Sequence, residues 1–84
     1  MTADLSERTR DAVLGIARQI SQEPVGEDQD PITAGFDSIA TMELAARLEE
    51  ELGVDCSFED VLDASSFGDL ARTLIRRLDA AGSR

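Results

Sequence analysis

The spacing of its apolar residues constrains this 84-residue chain more than any other feature. Apolar side chains recur every three or four positions along most of the sequence, as they do on one face of a helix. No apolar and polar residues alternate over a run long enough to indicate a strand. The sequence therefore predicts an all-α fold, a four-helix bundle forming a single domain over residues 1–84.

The first helix is predicted over residues 5–20, because Pro24 and the residues around it cannot continue a helix. A long loop follows over residues 21–37, which contains two prolines and two glycines. We expect Val25 and Ile32 to attach this loop to the core.

The other three helices are predicted from their boundary residues. The second opens at residue 37 or 38 and runs to residue 52, where Gly53 allows a left-handed exit. A short third helix over 58–63 follows a capping box that begins at Ser57. The last helix begins at about residue 67 and extends to about residue 80.

The charge of the chain excludes several classes of partner. Its net charge is −10, and residues 38–63 contain eight acidic residues against Arg47 alone. Nucleic acids and anionic membrane surfaces require a basic protein surface, so neither is an expected partner. Basic surfaces of other proteins are the natural complement, and we expect the protein itself to be a monomer.

The single cysteine and the lack of histidine exclude other classes. One cysteine cannot form an intramolecular disulfide, and the usual zinc ligands are missing, so we expect no metal site. Residues 1–20 contain no signal-peptide core, and no run approaches the length of a membrane span. These features fit a reducing cytoplasm. Cys56, between Val54 and Phe58, is predicted to be a small buried apolar side chain.

Ser38 stands where the second helix begins, and nothing in the chain can activate it. The sequence has no histidine and no lysine that could act as a general base for the hydroxyl. The surrounding Gly35-Phe36-Asp37-Ser38-Ile39 is also not the Gly-x-Ser-x-Gly turn of serine hydrolases. Ser38 therefore either caps a helix or is acted on by another protein, and we predict no catalytic residue.

The second helix has two apolar faces. At about 100° per residue, five residues share the side expected to face the core: Thr41, Leu44, Ala45, Leu48 and Leu52. Ile39, Met42 and Ala46 fall roughly opposite, and we call these three residues the outer strip. Either the loop before the helix covers the outer strip, or the strip contacts a partner.

Acidic residues border the outer strip on both sides. Glu43 and Glu50 lie on one flank and Glu49 on the other. Such carboxylates would attract a basic partner, although acidic residues on a solvated helix face also serve solubility alone.

These residues together resemble the acyl carrier protein family. The similarity lies in Gly35-Phe36-Asp37-Ser38-Ile39, in Met42-Glu43-Leu44 and in the acidic stretch that ends at Gly53, and it extends over nearly the whole chain. In that family the serine carries a 4′-phosphopantetheine arm, which a separate transferase installs from coenzyme A. The resemblance implies that Ser38 is the attachment point and that acyl groups are carried on the thiol of the arm as thioesters.

The resemblance also implies roles for neighbouring residues. Asp37 would assist the phosphopantetheinyl transferase, or would only cap the helix. The resemblance makes Met42, Glu43 and Val61 partner contacts. Together with the rest of the outer strip and its acidic flanks, the predicted partner-binding residues are Ile39, Met42, Glu43, Ala46, Glu49, Glu50 and Val61. The partners would be the transferase, an enzyme that loads acyl or aminoacyl groups, and downstream synthases and modifying enzymes.

Departures from the family pattern concern the subtype. Ile39 replaces the commonest leucine, and prolines found in many relatives are missing after Val54 and near Ala64. Asp37 favours an acyl or polyketide carrier, although freestanding carriers of amino acids also have Asp-Ser. Met1 and the short tail to Arg84 favour a freestanding carrier. The alternative from another class is an acidic helical adaptor that binds a basic partner through the second helix, with Ser38 only as a cap.

Overall fold

A computed structural model describes residues 4–82, and these residues form four α-helices without a strand. The helices are α1 (Leu5–Ser21), α2 (Ser38–Leu52), α3 (Phe58–Asp63) and α4 (Phe67–Gly82). The predicted all-α four-helix fold is confirmed, with each boundary within two residues of its expected position. The termini that suggested a freestanding carrier, Met1 and Arg84, lie outside the described residues.

Side-chain caps fix where the helices begin. Asp4 accepts a hydrogen bond from the N–H of Glu7 at 2.8 Å and so opens α1. Ser57 and Asp60 exchange hydrogen bonds with each other's backbone N–H at 3.1 and 2.8 Å, which confirms the predicted capping box of α3. Gly53 ends α2 with a φ of 66°, in the left-handed region where glycine is favoured.

The core lies where α1 packs against both α2 and α4, and α3 covers part of α2. Its largest fully buried side chains are Val13, Leu44, Leu48, Val61, Phe67, Leu70 and Leu74. The loop contributes Val25, Pro31 and Phe36 to this core. The predicted attachment through Val25 is confirmed. The one through Ile32 is wrong, because Ile32 is 59% exposed and the preceding Pro31 is buried instead.

The loop is also bonded to the start of α4. The N–H of Phe67 donates to the carbonyl of Gln29 at 2.9 Å, and the N–H of Gly68 donates to the carbonyl of Glu27 at 2.8 Å. The long connection between α1 and α2 is therefore fastened across the bundle before it reaches Ser38.

None of the helices within residues 4–82 combines the length and apolar character that crossing a membrane requires.

Candidate functional site

The start of α2 is built by Asp37. Its carboxylate accepts a hydrogen bond from the N–H of Ala40 at 2.8 Å, and its carbonyl accepts from the N–H of Thr41 at 2.9 Å. Asp37 is thus the N-cap of α2, in extended conformation, and Ser38 is the first helical residue. The capping role of Asp37 is confirmed, and its expected role toward a transferase stays a prediction.

Ser38 is exposed at this helix start. Its hydroxyl makes no hydrogen bond to any residue in the described range 4–82. The N–H groups of Ser38 and Ile39 precede the first intrahelical bond and point out of the helix end. The arrangement offers an accessible hydroxyl beside backbone donors and the positive end of the helix dipole, which together suit a phosphate group.

The residues just before the cap are held by the core. Gly35 adopts a φ of 94°, which only glycine adopts easily, and the next residue, Phe36, is buried. The N–H of Phe36 donates to the carbonyl of Pro31 at 3.0 Å. Ser38 therefore follows an anchored turn rather than a free loop.

The outer strip of α2 is open to solvent. Ile39 is 72% exposed, Met42 is 52% exposed, and Ala46 is exposed as well. The alternative in which the loop covers this strip is wrong, because the loop packs toward α4. The opposite face of α2 is buried as expected, at Thr41, Leu44, Ala45 and Leu48, with Leu52 half-buried. Ile39 and Met42 thus form an exposed apolar surface within one turn of Ser38.

The acidic residues around the outer strip have different surroundings. Glu43 forms an ion pair of 3.6 Å with Arg47, whose guanidinium also donates to Gln19 of α1. Glu49 accepts a hydrogen bond from the N–H of Cys56 at 3.0 Å, so one of its oxygens holds the turn after α2. Glu50 is exposed and borders a groove between α2 and α1.

Val61 was predicted to extend the partner surface, and this is wrong because its side chain is 1% exposed. Val61 faces the core from α3, and Ala64, the extended C-cap residue just after this helix, is buried as well. Leu62, the residue after Val61, is 41% exposed instead. A helix of six residues has too few repeating positions for the sequence to show which of Val61 and Leu62 faces the core.

Cys56 is buried, as predicted, with 2% of its surface exposed. Burial, and next the negative charges of Asp60 and Glu49, raise the pKa of its thiol to about 11. The thiol is therefore protonated at neutral pH and suits neither thioester nor redox chemistry.

A family model described as a phosphopantetheine attachment site matches residues 11–74. The chain belongs to this family. Members carry a covalently attached 4′-phosphopantetheine and are carriers rather than catalysts, so the predicted cofactor and the prediction that the chain is not an enzyme are confirmed. Carriers of this type work with phosphopantetheinyl transferases and with synthetases.

One curated relative is the nonribosomal peptide synthetase criC of Aspergillus cristatus, with 31% identity over 62 residues. The match covers 74% of this chain but 3% of that protein, so the chain corresponds in length to a small part of the synthetase. No solved structure matches the chain significantly.

Proposed function

We propose that Ser38 carries the 4′-phosphopantetheine arm. In this role the protein shuttles acyl or aminoacyl thioesters between enzymes of a fatty acid, polyketide or nonribosomal peptide type of pathway. The observation that carries the proposal is the exposed, unbonded hydroxyl of Ser38 at the first residue of α2, directly after the capping Asp37. The alternative of an adaptor that uses Ser38 only as a cap fits less well, since Asp37 already fills that position.

The attachment needs no catalytic group from this chain. The Oγ of Ser38 would form a bond to the phosphorus of phosphopantetheine while the bond from that phosphorus to the rest of coenzyme A breaks. A base of the transferase would take the hydroxyl proton, and the nucleotide would leave with the bridging oxygen. The absence of histidine and lysine from the sequence is compatible with this division of labour.

The thiol of the arm supplies the thioester chemistry. The protein's single cysteine does not compete for the cargo, because the Cys56 thiol is buried and protonated at neutral pH. The chain's own residues have the remaining tasks of presenting Ser38, and of offering a surface that each partner enzyme binds.

That surface is the outer strip, together with Glu43 and Glu50 beside it. Ile39 and Met42 offer an apolar contact close to Ser38, and Leu62 on α3 adds a further exposed apolar side chain. The carboxylates favour partners with basic docking surfaces and raise association rates more than final affinity. We expect transferase, loading enzyme and synthase to bind here in turn.

Two observations favour different classes of cargo. The similarity to a nonribosomal peptide synthetase favours aminoacyl or peptidyl groups. The Asp37-Ser38 pair instead favours the acyl and polyketide carriers that the sequence resembles. A location in the cytoplasm, where coenzyme A and the partner enzymes would meet the protein, belongs to the same proposal.

Intact-mass measurement tests the proposal. The protein is incubated with coenzyme A and a broad-specificity phosphopantetheinyl transferase, and we expect wild type to gain one phosphopantetheine. Ser38→Ala should gain none, and Ser57→Ala, which alters another exposed serine at a helix start, should be modified like wild type. An unmodified wild type, or equal modification of Ser38→Ala, would contradict the proposal. The helical adaptor would then be the better-supported function.

A further inference from the structure

The loop before Ser38 caps α4. The first N–H groups of a helix have no acceptor within the helix, and side chains or water usually satisfy them. Here the carbonyls of Glu27 and Gln29 accept the N–H groups of Gly68 and Phe67, at 2.8 and 2.9 Å. We call this pair of hydrogen bonds the loop lock.

The part of the loop that forms the loop lock is itself a closed turn. The N–H of Gln29 donates to the carbonyl of Gly26 at 3.1 Å, and the side-chain oxygen of Gln29 accepts the N–H of Gly26 at 2.9 Å. These two bonds hold the carbonyls of Glu27 and Gln29 in a fixed relation to each other. The loop therefore meets α4 as a preformed unit.

The loop lock depends on the absence of a side chain at Gly68. A Cβ at this position would lie 2.7 Å from Cγ of Glu27 and 3.1 Å from its carbonyl oxygen. The first distance is shorter than non-bonded carbon atoms tolerate, so the exposed side chain of Glu27 would have to turn away. The second atom is an acceptor of the loop lock, and it would have to shift by a few tenths of an ångström. The requirement for glycine is one of space, because the φ of Gly68 is not among the positive values.

A second contact connects the start of α4 with the residues just before Ser38. The ring of Phe36 meets the ring of Phe67 edge to face, with centroids 5.4 Å apart. Phe36 is buried and directly precedes Asp37, which caps α2. The first residue of α4 thus donates one of the two bonds of the loop lock and also contacts the residue two positions before Ser38.

We infer that Gly68 is a positioning residue for the modification of Ser38. The lack of a side chain at Gly68 allows the loop lock, and the loop lock keeps the start of α2 in the arrangement that the transferase binds. The inference rests on the proposed attachment at Ser38. Without the lock, only a fraction of the molecules has the competent arrangement, and the apparent affinity is the intrinsic affinity multiplied by that fraction.

Transferase kinetics test this inference. For Gly68→Ala we expect the KM for the carrier to rise about threefold or more while kcat stays within about twofold, because molecules that do bind react normally. Gly15→Ala is the matched control, since a Cβ at Gly15 of α1 would meet no atom within 4 Å. Its KM and kcat should equal those of wild type.

A second substitution, at Glu27, tests whether the effect of Gly68→Ala can be reversed. Glu27→Ala removes Cγ and the carboxylate, which supply two of the three close contacts to a Cβ at position 68. The substitution alone costs only an exposed ion pair of 3.7 Å with Arg10 and should leave the kinetics unchanged. We expect the double variant to reverse part of the rise in KM that Gly68→Ala causes, because only the contact with the carbonyl oxygen of residue 27 remains.

Two results would overturn the inference: a folded Gly68→Ala with the KM of wild type, or a loss in kcat with KM unchanged. If circular dichroism shows that Gly68→Ala does not fold, the kinetics of Phe36→Leu test the inference instead. This substitution weakens the contact between the loop and α4 at Phe67. A raised KM for Phe36→Leu supports the inference and an unchanged KM overturns it. Failure of wild type to gain the arm at Ser38 would instead contradict the proposed function.

Discussion

Arg77 of α4 holds Asp60 of α3 in a bidentate ion pair, with distances of 2.6 Å from Nη1 to Oδ2 and 3.0 Å from Nη2 to Oδ1. Nη1 also donates to the carbonyl of Asp55 at 3.0 Å. One guanidinium therefore ties the short helix α3 and the turn before it to α4. A helix of six residues has little stability of its own, so this connection matters for its position.

The ion pair predicts a loss of stability in acid. The hydrogen bonds from Arg77, followed by those of the Ser57 cap, lower the pKa of Asp60 from 3.8 to about 2. Because the folded pKa lies below the unfolded one, the stabilisation is complete above pH 4 and is lost as the pH falls toward 2. Asp60→Asn should reduce the free energy of unfolding at pH 7 by roughly 1–2 kcal/mol, allowing for the partial exposure of Arg77.

Urea unfolding at pH 7 and at several points between pH 5 and 2 checks this prediction. The difference between wild type and Asp60→Asn should shrink as the pH falls. A difference that is constant over this range would show that the carboxylate is not the origin of the effect.

Thr9 predicts a stabilising substitution. It is fully buried in α1, and its hydroxyl has no hydrogen-bond partner among the described residues. Thr9→Val keeps the shape of the side chain and replaces the hydroxyl by a methyl group, so we expect a gain of about 1 kcal/mol. Thermal and urea unfolding measure it, and an equal or lower stability of Thr9→Val would contradict the prediction.

The outer strip predicts a docking defect without a folding defect. The double variant Ile39→Ser, Met42→Ser removes apolar surface that is already exposed, so the free energy of unfolding should change by less than about 0.5 kcal/mol. The transferase KM should rise by roughly tenfold, since a small apolar contact contributes on the order of 1–2 kcal/mol.

Leu5→Ser is the matched control for the outer strip. Leu5 is also an exposed large apolar residue, and it begins α1, whereas the end of α1 at Ile20 lies beside Asp37 and the start of α2. It is therefore at the far end of the bundle from Ser38 and should leave the KM unchanged. An equal effect of Leu5→Ser would argue against a specific docking strip.

The burial of Cys56 predicts that alkylation of the native protein detects only the thiol of the phosphopantetheine arm. Its pKa of about 11 and its burial should prevent alkylation by iodoacetamide at pH 8 in the native protein. The unmodified protein should then gain no label when native and one label in urea. With phosphopantetheine attached, it should gain one when native and two in urea. Labelling of the native unmodified protein would show that Cys56 is accessible.

Local patterns were sufficient to predict the helices and the position of Ser38. The caps at Asp37 and Ser57 and the exit at Gly53 depend on residues next to each other in sequence, and so does the core face of α2. Whether the outer strip is covered depends on where the loop packs, and the spacing of apolar residues does not show this. The loop lock consists of backbone bonds, and only the glycine at position 68 marks it in the sequence.

The errors have a similar origin. Ile32 was assigned to the core from its apolar character and Val61 to the partner surface from the family resemblance, in both cases without the phase of the turn or helix that contains it. A single residue of phase separates buried Pro31 from exposed Ile32, and buried Val61 from exposed Leu62. In a six-residue helix too few positions repeat for periodicity to fix the phase.

Ser38 belongs to a helix anchored at both ends, and this has a consequence for traffic between partner enzymes. If Ser38 carries the phosphopantetheine arm, as proposed, the arm reaches a volume set by its own length, because its point of attachment is held in place. Two active sites outside that volume can be served only if the protein leaves one partner and joins the next. The order and rate of transfer between enzymes would then be set by the residence time of each complex. The slowest dissociation would limit the overall rate.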